Sequence, residues 1–546
     1  MHKALLLLPL YLLGCSALQQ AEPTPIIYRI GEIHRTVHTS VPEAQLWFDR
    51  GLALSFGFNH EAAVVCFEKA AELDPECAMA YWGKAYALGP NYNNFALSEE
   101  ACAGAYEALV QAERLSSPIR PLEQALIQAL FTRQPSPNVE EDRAPLEKAY
   151  ANAMRRIYKE YSDDPDVVAL TGESLMNLRP WKLWSPEGVA APEVFEIRQV
   201  LEAGLERWPD HPALCHLYIH TMEAGPEVAA ATEAADRLVG LAPGLGHLVH
   251  MPTHIYIWTG RYKDAVRINQ QAVAADTAYV EHAGRMNFYT GYRLHNYHFI
   301  AYAGMWSGQR EVALQAARTI PGEVPADLLA AHPDFVEIFL ATHLHVMVRF
   351  GMWEEILQEP QPPATQLGPT AVWQYSRALA FASLGRVEEA LKSQQDFLAA
   401  KAAVPETRTL FQNPVIEILT VAEAFLQGEI LYRQGEFDAA FVSLREATAL
   451  DKKLNYDEPW GWMEPASHAL GALLLEQGHH AEALEVYQAN LARFPENGWA
   501  LNGLAECLDA LGQPEAALDA RQRFETAFSL ADVEIPGSCF CRTAKQ

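Results

Sequence analysis

The sequence is short of positive charge. Its 546 residues carry 41 Lys and Arg against 69 Asp and Glu, a formal net charge of −28. Such a surface repels phosphate backbones, so no nucleic-acid partner is expected. The acidic residues are dispersed rather than gathered into tails, and read as a solvated surface. Cysteine is sparse: beyond Cys15 there are Cys66, Cys77, Cys102, Cys215, Cys507, Cys539 and Cys541, too few for a disulfide scaffold. The first five of these fall inside helical patterns and read as small core residues. After residue 14 no apolar run is long enough to span a bilayer. A phosphate loop, a dinucleotide glycine motif and a GxSxG elbow are all missing, which leaves those enzyme classes without support. Strand-like alternation is rare, and the fold expected is all-α.

The N-terminus stands apart. MHK supplies positive charge, ALLLLPLYLLG an apolar run of eleven, and Cys15 follows at once. Eleven residues cannot cross a bilayer as a helix, and the pattern is that of a secretion signal. The LLGC ending resembles the lipobox of bacterial lipoproteins. That resemblance implies a signal peptide over 1–14, lipidation of Cys15 and, with Ser16 next, sorting to the outer membrane. The alternative is an ordinary signal peptide cut a few residues later, leaving a periplasmic protein. Residues 15–44 read as a tether, beginning with the extended AEPTP.

From residue 41 helix follows helix. Gly471, Gly478, Ala483, Tyr487 and Pro495 mark one unit; Ala505, Gly512 and Ala517 follow 34 residues on, with Phe524 in the same unit. Gly428, Gly435, Phe437, Ala440 and Ala447 mark another unit, Gly385, Ala390 and Phe397 a further one, and Gly260, Tyr262, Ala265 and Ala272 one more. Small residues let helices touch, large ones fill the gaps, and proline punctuates. The pattern resembles the tetratricopeptide repeat (TPR) family over roughly 45–530. It implies an α-solenoid, with insertions in the N-terminal half (GPNYNN, RQPSPNVEED, RPWKLWSPEG) that break the period. The expected parts are 45–165 and 301–531 as repeat arrays, 166–300 as a histidine-rich region, and 532–546 as a Cys-x-Cys tail. More narrowly, FNHEAA, HLYIHTMEA, GHLVHMPTHIY, HNYHF and SCFC resemble a group of histidine-rich secreted bacterial repeat proteins, which implies fold and compartment but no activity.

What the sequence does have is histidine in one place. Nine of its 19 histidines lie within 211–298. His216, His220 and Glu223 (i, i+4, i+7) share a helix face, as do His247, His250 and His254, and as do His295 and His298. Imidazole is the commonest metal ligand, and packed helices can aim such groups at one point. Seven paired imidazoles with Glu223 exceed one ion's needs, so two metals, or one metal with supporting bases, are both open. The HExxH glutamate is missing, because Leu217 follows His216, and a zinc peptidase of that kind is disfavoured. All-nitrogen sites suit zinc, copper and iron; Met251 and the secreted compartment favour copper. Tyr256 and Tyr292 are candidate hydrogen-bonding or redox neighbours, and Glu223 a candidate ligand or proton acceptor. The narrower resemblance also implies that Glu173 and Pro180 to Trp184 line the same cavity. Three readings follow: a copper- or iron-type oxidoreductase, a scaffold binding a protein or peptide on its concave face, or a copper store or carrier using a mobile SCFC tail.

Overall fold

The structure is a computed structural model that describes residues 29–543. The signal segment and the lipidation candidate Cys15 lie outside the described residues. Within them nearly all regular structure is helical; one short ladder pairs Thr409–Leu410 with Asn413–Pro414. No helix among the described residues is long and apolar enough to cross a membrane.

The helices form an α-solenoid of hairpins. Leu367–Ser383 packs on Val387–Ala402, Val415–Arg433 on Phe437–Lys453, Ala466–Glu476 on His480–Arg493, and Gly498–Ala510 on Pro514–Ala527. Each hairpin turns through a left-handed glycine: Gly385, Gly435, Gly478 and Gly512 have φ of 73°, 83°, 77° and 71°. Glycine adopts this conformation without the steric cost other residues meet. The same turn recurs at Gly260, Gly308 and Gly351, of which the sequence pattern marks only Gly260. Between hairpins, one large side chain fits between two glycines. Tyr487 is fully buried, and a Cβ on Gly471 or Gly503 would come within 2.6 or 2.2 Å of its ring. Phe67 sits likewise between Gly51 and Gly83; burial of such a ring contributes roughly 1.5–3 kcal/mol.

The array bends back on itself. Trp258 stacks on Phe494 with ring centroids 5.5 Å apart, and the Trp499 indole donates to the Met305 carbonyl at 2.8 Å. Asp532 accepts from the backbone N–H groups of Arg310 and Glu311 at 2.8 and 2.9 Å. The last repeats therefore cover the inner side of the middle ones. Insertions are not confined to the N-terminal half, as the pattern had implied. Gly435 and Gly478 stand 43 residues apart where Gly478 and Gly512 stand 34 apart. The extra chain, 454–465, turns inward and buries Asp457, Glu458, Trp460 and Trp462.

Both ends differ from the linker and tail expected. Residues 29–41 are packed rather than free: Ile30, Ile33 and Val37 are buried, and Arg35 pairs with Asp164 and Asp166 at 2.9 and 3.0 Å. At the other end Cys539 and Cys541 form a disulfide. Ser538 donates to the His468 carbonyl at 2.7 Å, and Arg433 donates to the Cys541 carbonyl. The tail is held against the last repeats by these bonds rather than extending free of them.

Candidate metal centre

Helix Pro212–Met222 begins with proline at its first turn and presents His216 and His220 on one face. A break at Pro243 and Gly244 leads into two short helices, Gly246–His250 and Pro252–Trp258. Gly246 is required there, since a Cβ would lie 1.8 Å from the Asp276 carboxylate. This close approach sets the histidine next to it: the His247 N–H donates to the Tyr289 hydroxyl at 2.7 Å, and Asn296 donates to Asp276 at 2.6 Å. Helix Tyr289–Trp306 carries His295.

These elements bring together two groups of three histidines, His216 with His220 and His247, and His250 with His254 and His295. Within each group the candidate ligand atoms all lie within 4.8 Å of one another, and every member is buried. The groups adjoin: the ring centroids of His220 and His254 are 5.9 Å apart, those of His247 and His250 6.2 Å. Glu223 joins them, accepting from His220 Nδ1 at 2.7 Å and from His254 Nδ1 at 2.6 Å.

The outer hydrogen bonds fix which nitrogen faces inward. His216 Nδ1 lies 2.8 Å from the Phe56 carbonyl, and His250 Nδ1 2.6 Å from the Asn269 side-chain oxygen. Asn269 is oriented by its own amide, which donates to the Ala265 carbonyl at 2.8 Å. Carbonyl and carboxylate oxygens only accept, so all four rings carry a proton on Nδ1; His216, His220 and His250 turn a lone pair inward from Nε2, and His254 does so once its second proton leaves. This is the arrangement by which proteins orient metal-ligating imidazoles. Two nitrogens on one tetrahedral ion, each about 2.0–2.1 Å from it, stand about 3.3 Å apart. His216 and His247 Nε2 are 3.2 Å apart, and His254 and His295 Nε2 3.4 Å. The His250–His254 pair, at 2.6 Å, must open slightly to accept an ion. Either group could hold a metal ion.

Electrostatics keep five of the six rings neutral. Burial pushes His216 down to about 3 and holds His220, His247, His250 and His295 well below the usual imidazole value, with neighbouring histidines adding to the effect. His254 is the exception: burial pulls it down, but Glu458 and Glu223 together raise it to about 10. Glu223 itself is raised by burial and by Glu458. Glu458 lies 3.1 Å from His254 Nδ1 and comes from the inward insertion, about two hundred residues away in sequence. The histidine spacing gives no hint of it; the break in the 34-residue period does.

Other candidates fall outside the groups. His298 follows His295 by three residues, far enough around the helix to face the next layer. It packs edge-on to Phe339, at 5.2 Å, and lines a small separate cavity with His345. Tyr256, two residues after His254, points to the opposite side and donates to Asp236 at 2.6 Å under the Arg261 guanidinium. Tyr292 does reach the site, stacked on His247 at 4.3 Å. Trp181 stands edge-on to His220 at 5.7 Å, whereas Trp184 donates to the Thr221 carbonyl and Glu173 accepts from Tyr86. Met251 belongs to the apolar core. One contributor has no signal in the histidine pattern. Phe58 occupies the turn position that is glycine in seven other hairpins, at φ 54°. Its ring lies 4.5, 5.8 and 5.6 Å from those of His216, His220 and His247.

Fold and site define an all-α repeat solenoid folded around a buried histidine cluster. Residues 44–77 and 474–523 match family models described as tetratricopeptide repeat, so the chain carries tetratricopeptide repeats at both ends. Similar solved structures include the human IFIT1 dimer with m7Gppp-AAAA (14% identity, 93% of each chain covered, TM-score 0.31). Others are the APC/C hetero-tetramer Cut9–Hcn1 (16% identity, 90% of this chain and 88% of that one, TM-score 0.30) and the P58(IPK) TPR domain (14%, 86% and 98%, TM-score 0.22). No curated protein matches the sequence.

Proposed function

We propose that the chain is an extracytoplasmic metalloprotein in which the two histidine groups each hold a copper ion, and that it serves as an oxidoreductase anchored through Cys15. The observation that carries this is the set of inward Nε2 lone pairs whose outer nitrogens are tied to Phe56, Asn269 and Glu223. Nε2 atoms that face one another at these distances share a proton or a cation, and a metal ion can take the proton's place. Imidazole sites bind copper(II) more tightly than the other first-row divalent ions, and copper, when bound, supplies one-electron chemistry. The chain's own part is to keep the rings neutral, fix their tautomers through Glu223, and exclude water with Phe58. Elemental analysis of the purified protein tests this: two copper ions per chain are expected, falling to one in His216→Ala and in His295→Ala with helicity retained. A chain without copper, or variants that keep both ions, would overturn the reading. Anchoring is tested separately by Cys15→Ser, which should abolish incorporation of labelled fatty acid.

A partner-binding role is a second reading. Repeat solenoids bind protein or peptide partners on their concave face, and Leu391, Phe437 and Val442, on second helices of successive repeats, leave 38%, 37% and 63% of their surface exposed for a further apolar contact. A partner held there should still be captured by the His220→Ala, His250→Ala, His295→Ala triple variant. Loss of capture with the fold intact would assign recognition to the cluster instead.

A further inference from the structure

Beside the two histidine groups lies a cavity of about 750 Å3, a size that takes a small organic molecule. His247 of one group and His254 and His295 of the other form part of its wall, together with Glu458. It therefore reaches both candidate metal positions. Farther out, the wall is aromatic: Trp181, Tyr292, Phe339, Phe411 and Tyr456. The mouth is apolar as well. Phe95, Met286, Phe288 and Phe335 line the cavity and are 39%, 61%, 44% and 41% exposed. Four large apolar side chains left in water around one opening mark a binding site rather than a folding solution.

The lining also restricts charge. Among the described residues it contains no Lys or Arg, while Asp457 and Glu458 are both present. On the metal-free chain a carboxylate or phosphate ligand would find no Lys or Arg in the wall and would meet Asp457 and Glu458 there. On the loaded chain a cation would be opposed by the metal charge at the inner end; this second step alone rests on the metal reading. With Nε2 turned to the metal positions, His247 and His295 carry their proton on Nδ1, and both Nδ1 groups are buried without a hydrogen-bond partner. They call for an oxygen that accepts, which a hydroxyl supplies. We infer that the cavity binds an uncharged, planar aromatic alcohol, ring between the aromatic walls and hydroxyl at the histidines. This is the substrate class of the proposed metal centre.

Gly291 provides a clean test. It lines the cavity on helix Tyr289–Trp306, and a Cβ there meets nothing within 4 Å, so a Phe side chain at this position starts into open space. The probe is 2-naphthol, followed by its fluorescence on the full chain, metal-free and zinc-loaded, zinc being unable to oxidise it. Saturable binding is expected, at least tenfold weaker in Gly291→Phe and several-fold weaker in the rim variant Phe335→Ala. 2-Naphthoate and naphthalene should each bind at least tenfold more weakly than 2-naphthol. Binding unaffected by Gly291→Phe, or equal binding of the carboxylate or of the unsubstituted ring, would overturn the inference. Metal content measured on the same samples separates the two ideas. Naphthol binding by a chain that retains no metal sinks the metal centre and leaves the cavity assignment standing. Full metal loading without naphthol binding does the reverse.

Discussion

Two stretches of one solenoid use the same backbone to different ends. In the last two hairpins, Ala466–Glu476 with His480–Arg493 and Gly498–Ala510 with Pro514–Ala527, most buried side chains are apolar and each turn is a glycine. Tyr487 between Gly471 and Gly503 is typical of that packing. In the middle hairpins the corresponding layer is built from imidazoles, and each places its outer nitrogen on an oxygen or against an aromatic ring. Periodic packing is what stabilises the superhelix. The site is made where the chain departs from period: the insertion carrying Glu458, the one between Ala402 and Val415 carrying Phe411, and the turn at Phe58.

If the two stretches are separable in this way, damage to the regular one should cost stability and leave the site alone. Tyr487→Ala removes a fully buried ring from between two glycines. A loss of about 3–5 kcal/mol in unfolding free energy is expected, as for other large aromatic truncations in cores. Urea denaturation measures it. Metal content of the folded fraction should not change; a parallel loss of metal would show that the repeats and the site form one cooperative unit.

Buried charge sharpens the contrast. Glu223 is satisfied by two histidines, whereas Glu429, in the regular array, has no hydrogen bond; its nearest opposite charge, Arg433 Nη2, is 3.4 Å away. Burial raises Glu429 from 4.5 to about 7, with Arg433 opposing and Glu476 adding. The folded state thus holds a proton that the unfolded chain gives up near pH 4.5. Its stabilisation is complete below that pH and is lost as pH rises through about 7. Going from pH 5 to pH 8 should cost about 2 kcal/mol from this group. Glu429→Gln should flatten that slope in denaturation curves at the two pH values. An unchanged slope would assign the pH dependence to other buried acids, such as Asp451, raised to about 6.

The repeats are largely legible from sequence because a glycine turn and a small–large pairing each act within some 34 residues. The histidine faces are legible for the same reason, since helical geometry fixes which side chains share a side. What cannot be read is which faces meet. His298 shares a side with His295 yet looks into another layer, and Tyr256 sits on the histidine helix but serves Asp236. Glu458 arrives through tertiary closure across about two hundred residues. Only its insertion, nine residues beyond the repeat length, leaves a trace.

The turn of the first hairpin brings the comparison down to one residue. Gly385 and Phe58 hold the same place, two residues past the helix end, with φ of 73° and 54°. A Cβ at Gly385 meets nothing within 4 Å, so Gly385→Ala adds backbone strain alone, about 1–2 kcal/mol, and should leave metal untouched. Phe58 already carries that strain, and Phe58→Gly would relieve it. The relief is offset by a lost ring whose burial is worth roughly 1.5–3 kcal/mol, so the net change in stability should be about 1 kcal/mol. Backbone economy alone would therefore not select phenylalanine here so strongly over the glycine used in seven other hairpins. Its ring covers three histidines, and strain kept at such a place is expected to serve the site. Phe58→Gly should then weaken copper retention in the His216 group at least tenfold against a chelator while the His250 group keeps its ion. Equal retention by wild type and variant would reduce Phe58 to a packing residue, and the turn to a repeat that happens to lack its glycine.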